Sequence, residues 1–143
     1  MSKSNLHKHL LGKIESGLEE LDLPDAPDTL YQPYRYALEV GGKRIRPLLT
    51  LLSCGLCGAD PDEALPGALA VEILHNFTLV HDDIMDSAET RRGEASVYKK
   101  WDENIAILSG DVMFADAYRQ LSYYGEEEAF TKKEYVDIHK VFS

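Results

Sequence analysis

Apolar residues recur at helical spacing along most of the chain. Leu6, Leu10, Leu11, Ile14, Leu18 and Leu21 fall on one face of a first helix, which Pro24 and Pro27 end. A second helix is predicted between Asp28, read as its N-cap, and Gly41-Gly42, carried by Tyr34, Ala37 and Leu38. Pro47 suits the first turn of a third, whose apolar body is Leu48 to Cys57 and whose terminator is Gly58. The longest helix is expected from Pro61 to Asp86, where Leu69, Ile73, Phe77 and Val80 form a stripe spaced by three and four. Ser87 to Gly93 reads as a polar loop. Trp101, Ile105, Leu108, Val112, Ala115 and Leu121 mark another helix ending near Gly125, and Thr131 with Glu134 makes a capping box for a last one. With no strand-like alternation, repeat or low-complexity linker, the expected fold class is all-α, in one piece.

Composition narrows the function. The 143 residues carry 15 Lys and Arg against 25 Asp and Glu, a net charge of −10. That surplus repels nucleic-acid backbones and anionic lipid, so any phosphate ligand needs a local concentration of cations. The longest apolar stretch, Ala64 to Val80, is interrupted by Glu72, His75 and Asn76, which argues against a membrane span. The opening MSKSNLHKHLLGKIES lacks the apolar run of a secretory signal, which places the protein in the cytoplasm. Cys54 and Cys57 form C-x-x-C inside an apolar helical run and read as small core residues rather than a redox or zinc pair.

Three charged clusters carry candidate chemistry. In HDDIMD, residues 81 to 86, Asp82 and Asp86 lie one helical turn apart on one face with Asp83 beside them. Mg²⁺ suits such a sparse set, because it is usually held by one or two carboxylates together with waters and substrate phosphates. Alone, the cluster reads more readily as a solvated acidic helix end. GGKRIRP, residues 41 to 47, puts Lys43, Arg44 and Arg46 at the start of a helix whose free N–H groups also favour an anion, or else it is an exposed basic turn. Arg91-Arg92-Gly93 follows the aspartates. Four of the six arginines fall in the last two clusters, and guanidinium forks match phosphate oxygens in pairs. Cations at both edges of a metal-binding aspartate cluster point to a diphosphate ester.

GGKRIRP, then LVHDDIMDSAETRRG, then GDVMFADA resemble, in order and spacing, the trans-isoprenyl diphosphate synthases of the polyprenyl synthetase family, from about Tyr31 to Tyr124. The resemblance implies an isoprenoid-synthase-type helical bundle and a Mg²⁺-dependent prenyltransferase that condenses isopentenyl diphosphate with an allylic diphosphate. It implies that Lys43, Arg46, His75 and Arg92 bind the diphosphate of isopentenyl diphosphate. Asp82 and Asp86 would ligate Mg²⁺ on the allylic diphosphate, with Asp83 in support and Arg91 on the same group. The residue types fit that chemistry: an allylic C–O bond ionises, and metal and arginines stabilise the charge gathering on the departing diphosphate. Apolar helix faces keep the cation dry until the second substrate attacks.

Phe77, five residues before Asp82, resembles the family position where an aromatic limits product length. Helix geometry alone places it about 140° around from Asp82 and leaves simple core packing as an equal reading. With Thr78 beside it, the pattern resembles that of geranylgeranyl-forming members, with farnesyl diphosphate the other short-chain product in view. The resemblance also implies a homodimer.

The family pattern includes a second aspartate-rich motif, which this sequence lacks. Residues 1–143 are therefore expected to be a single incomplete helical domain, the N-terminal half of a synthase, inactive alone and inclined to self-associate through unpartnered apolar faces. Two other readings stay open: a non-catalytic diphosphate-binding subunit of a prenyl synthase, and a metal-dependent phosphohydrolase built on His81-Asp82.

Overall fold

A computed structural model describes residues 3–143; Met1 and Ser2 lie outside it. The elements run α1 (Lys3–Glu19), α2 (Asp28–Glu39), α3 (Ile45–Leu56), a 3₁₀ turn (Pro61–Ala64) and α4 (Leu65–Met85). They continue through β1 (Thr90–Arg91), β2 (Glu94–Ala95), α5 (Val97–Lys100), α6 (Glu103–Gln120), α7 (Tyr123–Glu126) and α8 (Lys132–Phe142). The fold is all-α but for the short hairpin.

The central pair is α4 and α6, with α3 and α1 laid against α4 and α2 laid against α6. Leu10, Ile14 and Leu18 of α1, Leu51 of α3, Ile73 of α4 and Met113 of α6 form one buried core. Leu51, Ile73 and Met113 are fully buried, so truncating one to Ala costs about 2–5 kcal/mol. The buried side of α4 is not purely apolar: Glu72, Asn76 and Asp83 lie on it among Leu69, Ile73 and Val80, whereas Phe77 is half-buried. Among the described residues no helix is long and apolar enough to cross a membrane.

Several predicted boundaries move. Pro27, not Asp28, caps α2; Asp28 sits in the first turn, where a carboxylate meets the positive end of the helix dipole. The helix expected from Trp101 to Gly125 is two, α6 and α7, and Trp101 stands outside both. Trp101 leaves helical geometry and Asp102 accepts a hydrogen bond from the Ile105 N–H at 2.8 Å, capping α6 afresh. The loop after the aspartates contains a hairpin, Thr90 pairing with Ala95 and Arg91 with Glu94. Its two-residue turn, Arg92-Gly93, has φ of +53° and +87°, as the twist-compatible hairpin turns require. Cys57 is not a core residue: the last turn of α3 stands clear of the core, leaving Leu56 and Cys57 exposed and Cys54 half-buried. The capping box at α8 forms as expected between Thr131 and Glu134.

Candidate functional site

The spine helix α4 carries the site along its length. His75 lies midway and Asp82, Asp83 and Asp86 at its C-terminal end, about 10 Å further on at 1.5 Å per residue. Facing His75 is the turn into α3. The Arg46 Nη1 group stands 3.2 Å from His75 Nε2, and donation by the guanidinium leaves the proton of a neutral ring on Nδ1. Partial burial, followed by the charge of Arg46, holds the His75 pKa below its ordinary value, with Glu72 pulling the other way.

A cavity of about 470 Å³ opens here, lined by Gly42, Lys43, Arg44, Ile45, Arg46, Glu72, His75 and Arg92. Lys43, Arg46, His75 and Arg92 therefore converge, although they come from three segments. Gly42 makes the approach of the hairpin possible: a Cβ there would overlap the Arg92 guanidinium. The first N–H groups of α3 lie at the same wall, since Ile45 and Arg46 open that helix. An anion entering the cavity meets three cations and a helix N-terminus.

The two adjacent arginines of the hairpin serve different places. Arg91 reaches back to α4 and grips Asp83, with Nε 2.8 Å from Oδ2 and Nη2 2.6 Å from Oδ1. The Asp83 side chain is 3% exposed and that of Arg91 32%. Hydrogen bonding to Asp83 raises the Arg91 pKa against partial burial, with Asp82 and Asp86 adding to the carboxylate field. Asp83 is thus an anchor for Arg91, and the pair is one unit rather than two independent ligand groups. Asp82 and Asp86 are exposed. Among the described residues no three His, Cys, Asp or Glu side chains are grouped to hold a metal ion on their own. Two solvent-facing carboxylates a turn apart fit Mg²⁺ shared with a ligand's phosphates, and not a cage made by the protein alone.

Arg44, which the sequence groups with the basic cluster, is buried and unavailable to a ligand. It bonds Glu72 at 2.8 Å, Glu15 at 3.0 Å and the Leu38 carbonyl at 2.8 Å. Glu72, an acid in the middle of an apolar helix, was the visible sign of such a partner. The GDVMFADA segment also builds the frame. Gly110 lets the His81 ring sit against α6, where His81 Nε2 donates toward the Ile107 carbonyl at 3.2 Å. Asp116 accepts from the buried Tyr34 hydroxyl at 2.5 Å and from Arg119 Nε at 2.6 Å. Phe77 packs edge-on against His81 at 4.7 Å and tilts against Phe114 at 5.3 Å. The ladder continues through Tyr118 to Phe142 of α8. Thr78 faces solvent and its hydroxyl bonds the His75 carbonyl at 2.7 Å.

A family model described as Polyprenyl synthetase matches residues 27–143. The geranylgeranyl diphosphate synthase of Methanosarcina mazei is 42% identical over 115 residues, covering 80% of this chain and 36% of the relative. The short chain isoprenyl diphosphate synthase of Methanocaldococcus jannaschii is 44% identical over 115 residues, covering 80% of this chain and 35% of its own length. Among solved structures, geranylgeranyl pyrophosphate synthetase from Pyrococcus horikoshii superposes with a TM-score of 0.86 at 36% identity, over 96% of this chain and 41% of that one. The chain spans about a third of the length of the curated relatives it matches.

Proposed function

Because the chain belongs to the polyprenyl synthetase family, we propose that it forms the substrate-binding part of a trans-prenyltransferase that joins isopentenyl diphosphate to an allylic diphosphate. The observation that carries this reading is the convergence of Lys43, Arg46, His75 and Arg92 on one cavity beside the helix that ends in Asp82 and Asp86. The product is a short-chain isoprenyl diphosphate, geranylgeranyl or farnesyl, and the working assembly is a homodimer.

In this reading Lys43, Arg46 and Arg92 neutralise the diphosphate of isopentenyl diphosphate, and His75, held by Arg46 in the ligand-free chain, joins them and takes up a proton as the diphosphate binds. The allylic diphosphate lies at the end of α4. There Asp82 and Asp86 would hold Mg²⁺, which supplies positive charge to the leaving diphosphate when bound. Arg91, aligned by Asp83 through Nε and Nη2, keeps Nη1 outside that pair and available to the same charge. Phe77, Phe114 and Tyr118 supply an apolar wall that keeps water from the allylic carbon and fixes how long a prenyl chain fits.

Two bound ligands with different metal requirements make the test. Titration calorimetry on the chain is expected to show isopentenyl diphosphate binding without Mg²⁺ and allylic diphosphate binding only with it. Asp82→Asn with Asp86→Asn removes the second and spares the first. Loss of both together, or of neither, overturns the assignment. Turnover by this chain alone is expected to be little or none, and added partner chains that restore it would favour a binding-subunit role.

A further inference from the structure

Arg44 stands between Lys43 and Arg46 in sequence, yet it turns inward while they stay exposed. Its backbone is left-handed, φ +48°, a conformation that a side chain disfavours. What holds it there is a set of partners on three helices: Glu15 of α1, the Leu38 carbonyl of α2 and Glu72 of α4. The Arg44 and Glu72 side chains are 3% and 5% exposed. Glu72 is itself fixed by Asn76, whose amide lies 3.2 Å from the same carboxylate oxygen. Both members of the pair form part of the cavity wall.

We propose that Arg44 and Glu72 are positioning residues for diphosphate binding: their buried ion pair fixes the 42–46 turn on α4 so that Lys43 and Arg46 project together toward His75 and Arg92. The proposal rests on the reading of the cavity given above. The left-handed residue reverses the chain so that its neighbours point outward, and the three-helix grip makes that reversal independent of solvent. Coulomb forces predict the opposite role for Glu72. A carboxylate in the wall of an anion site repels the ligand, so a purely electrostatic account has its neutralisation strengthen binding. A positioning role has neutralisation weaken binding, because the turn loses its anchor.

The experiment is calorimetric titration of inorganic diphosphate, without metal, into the full chain and its variants, with far-UV circular dichroism as the check on folding. Glu72→Gln keeps the size of the side chain and removes its charge; its Kd is expected to rise about tenfold or more, as for other groups that orient ligand-binding side chains. Unchanged or tighter binding overturns the proposal. If Glu72→Gln does not fold, Arg44→Met with Glu72→Gln removes both buried charges at once and takes its place. Weakened binding by that double variant supports positioning, and wild-type affinity overturns it. Lys43→Ala with Arg46→Ala is expected to abolish binding. Binding that survives that change overturns the cavity reading itself, a pattern distinct from failure of the positioning role alone, and absence of binding by the unaltered chain overturns both.

Discussion

The carboxylate of Asp83 and the guanidinium of Arg91 meet through two parallel hydrogen bonds, at 2.8 and 2.6 Å, across the junction of α4 and the hairpin. The acid is buried, while its immediate neighbour Asp82 is exposed. Breaking such a pair from the buried side strands whatever remains. Asp83→Ala is expected to destabilise the chain by about 2–3 kcal/mol, somewhat below the range for a fully buried pair because Arg91 is one-third exposed. Asp82→Ala and Asp86→Ala are expected to fall within about 0.5 kcal/mol of the parent. Urea unfolding of the three variants measures this; equal effects would show that the aspartates are not divided between anchor and ligand roles.

His75 gives the cavity a pH dependence. Its pKa is lowered in the folded chain, first by burial and then by Arg46, so the unfolded state binds more protons as pH falls below the ordinary value of 6.5. The stability it contributes is fully present above that pH and is lost as pH falls through the lowered value. A diphosphate in the cavity reverses the bias by favouring imidazolium. Binding near pH 6 is therefore expected to carry a proton uptake by His75 on top of whatever proton the diphosphate itself releases, and His75→Gln to shift the net proton count toward release. Calorimetry in buffers of different ionisation enthalpy reads it directly.

The Tyr34 hydroxyl is buried and bonds Asp116, and burial followed by the Asp116 charge pushes its pKa far above the ordinary value of 10.0. A raised pKa means stability that is complete below pH 10 and lost above it. Tyr34→Phe is expected to cost about 1–3 kcal/mol at pH 7. It is also expected to flatten the loss of stability between pH 10 and 11. Denaturant midpoints across that range test both.

Phe77 heads the aromatic ladder that runs through Phe114 and Tyr118. In a protein of the relatives' full length, Phe77→Ala is expected to lengthen the prenyl product by opening the wall at its first rung. Mass spectrometry of the product mixture decides it: an unchanged chain-length distribution would make Phe77 a packing residue only.

Leu49, Leu56, Leu108, Phe114 and Val141 are exposed, from 43% at Phe114 to 88% at Leu56 and Val141. Self-association of the chain at micromolar concentration is the expected result. A monodisperse monomer in light scattering would contradict it.

Elements with strong helical periodicity were legible in the sequence, and so was the α8 cap, because both depend on residues three and four apart. What escaped reading depends on distant partners. Lys43, Arg44 and Arg46 look alike as a basic run; only Glu15 and Glu72, 29 and 28 residues from Arg44, decide which of the three turns inward. Asp82 and Asp83 likewise part company only once Arg91 comes back across the turn. The hairpin had a local sign, Gly93 after Arg92, but two-residue strands leave no alternation to detect. The break at Trp101 is marked by Asp102, an N-cap residue hidden inside an apolar period.

Arg91 and Arg92 are chain neighbours sent to separate destinations, the first to the aspartates and the second to the wall at Gly42. Their sorting depends on residue count and not on residue type. A one-residue deletion between Asp86 and Arg91 would bring Arg92 to the aspartates and Gly93 to the wall at Gly42, and a one-residue insertion would bring Arg91 to that wall and Thr90 to the aspartates. The linker from the aspartates to the hairpin is thus a ruler: an exposed side chain such as Ser87 is free to vary in its chemistry, while the length is not.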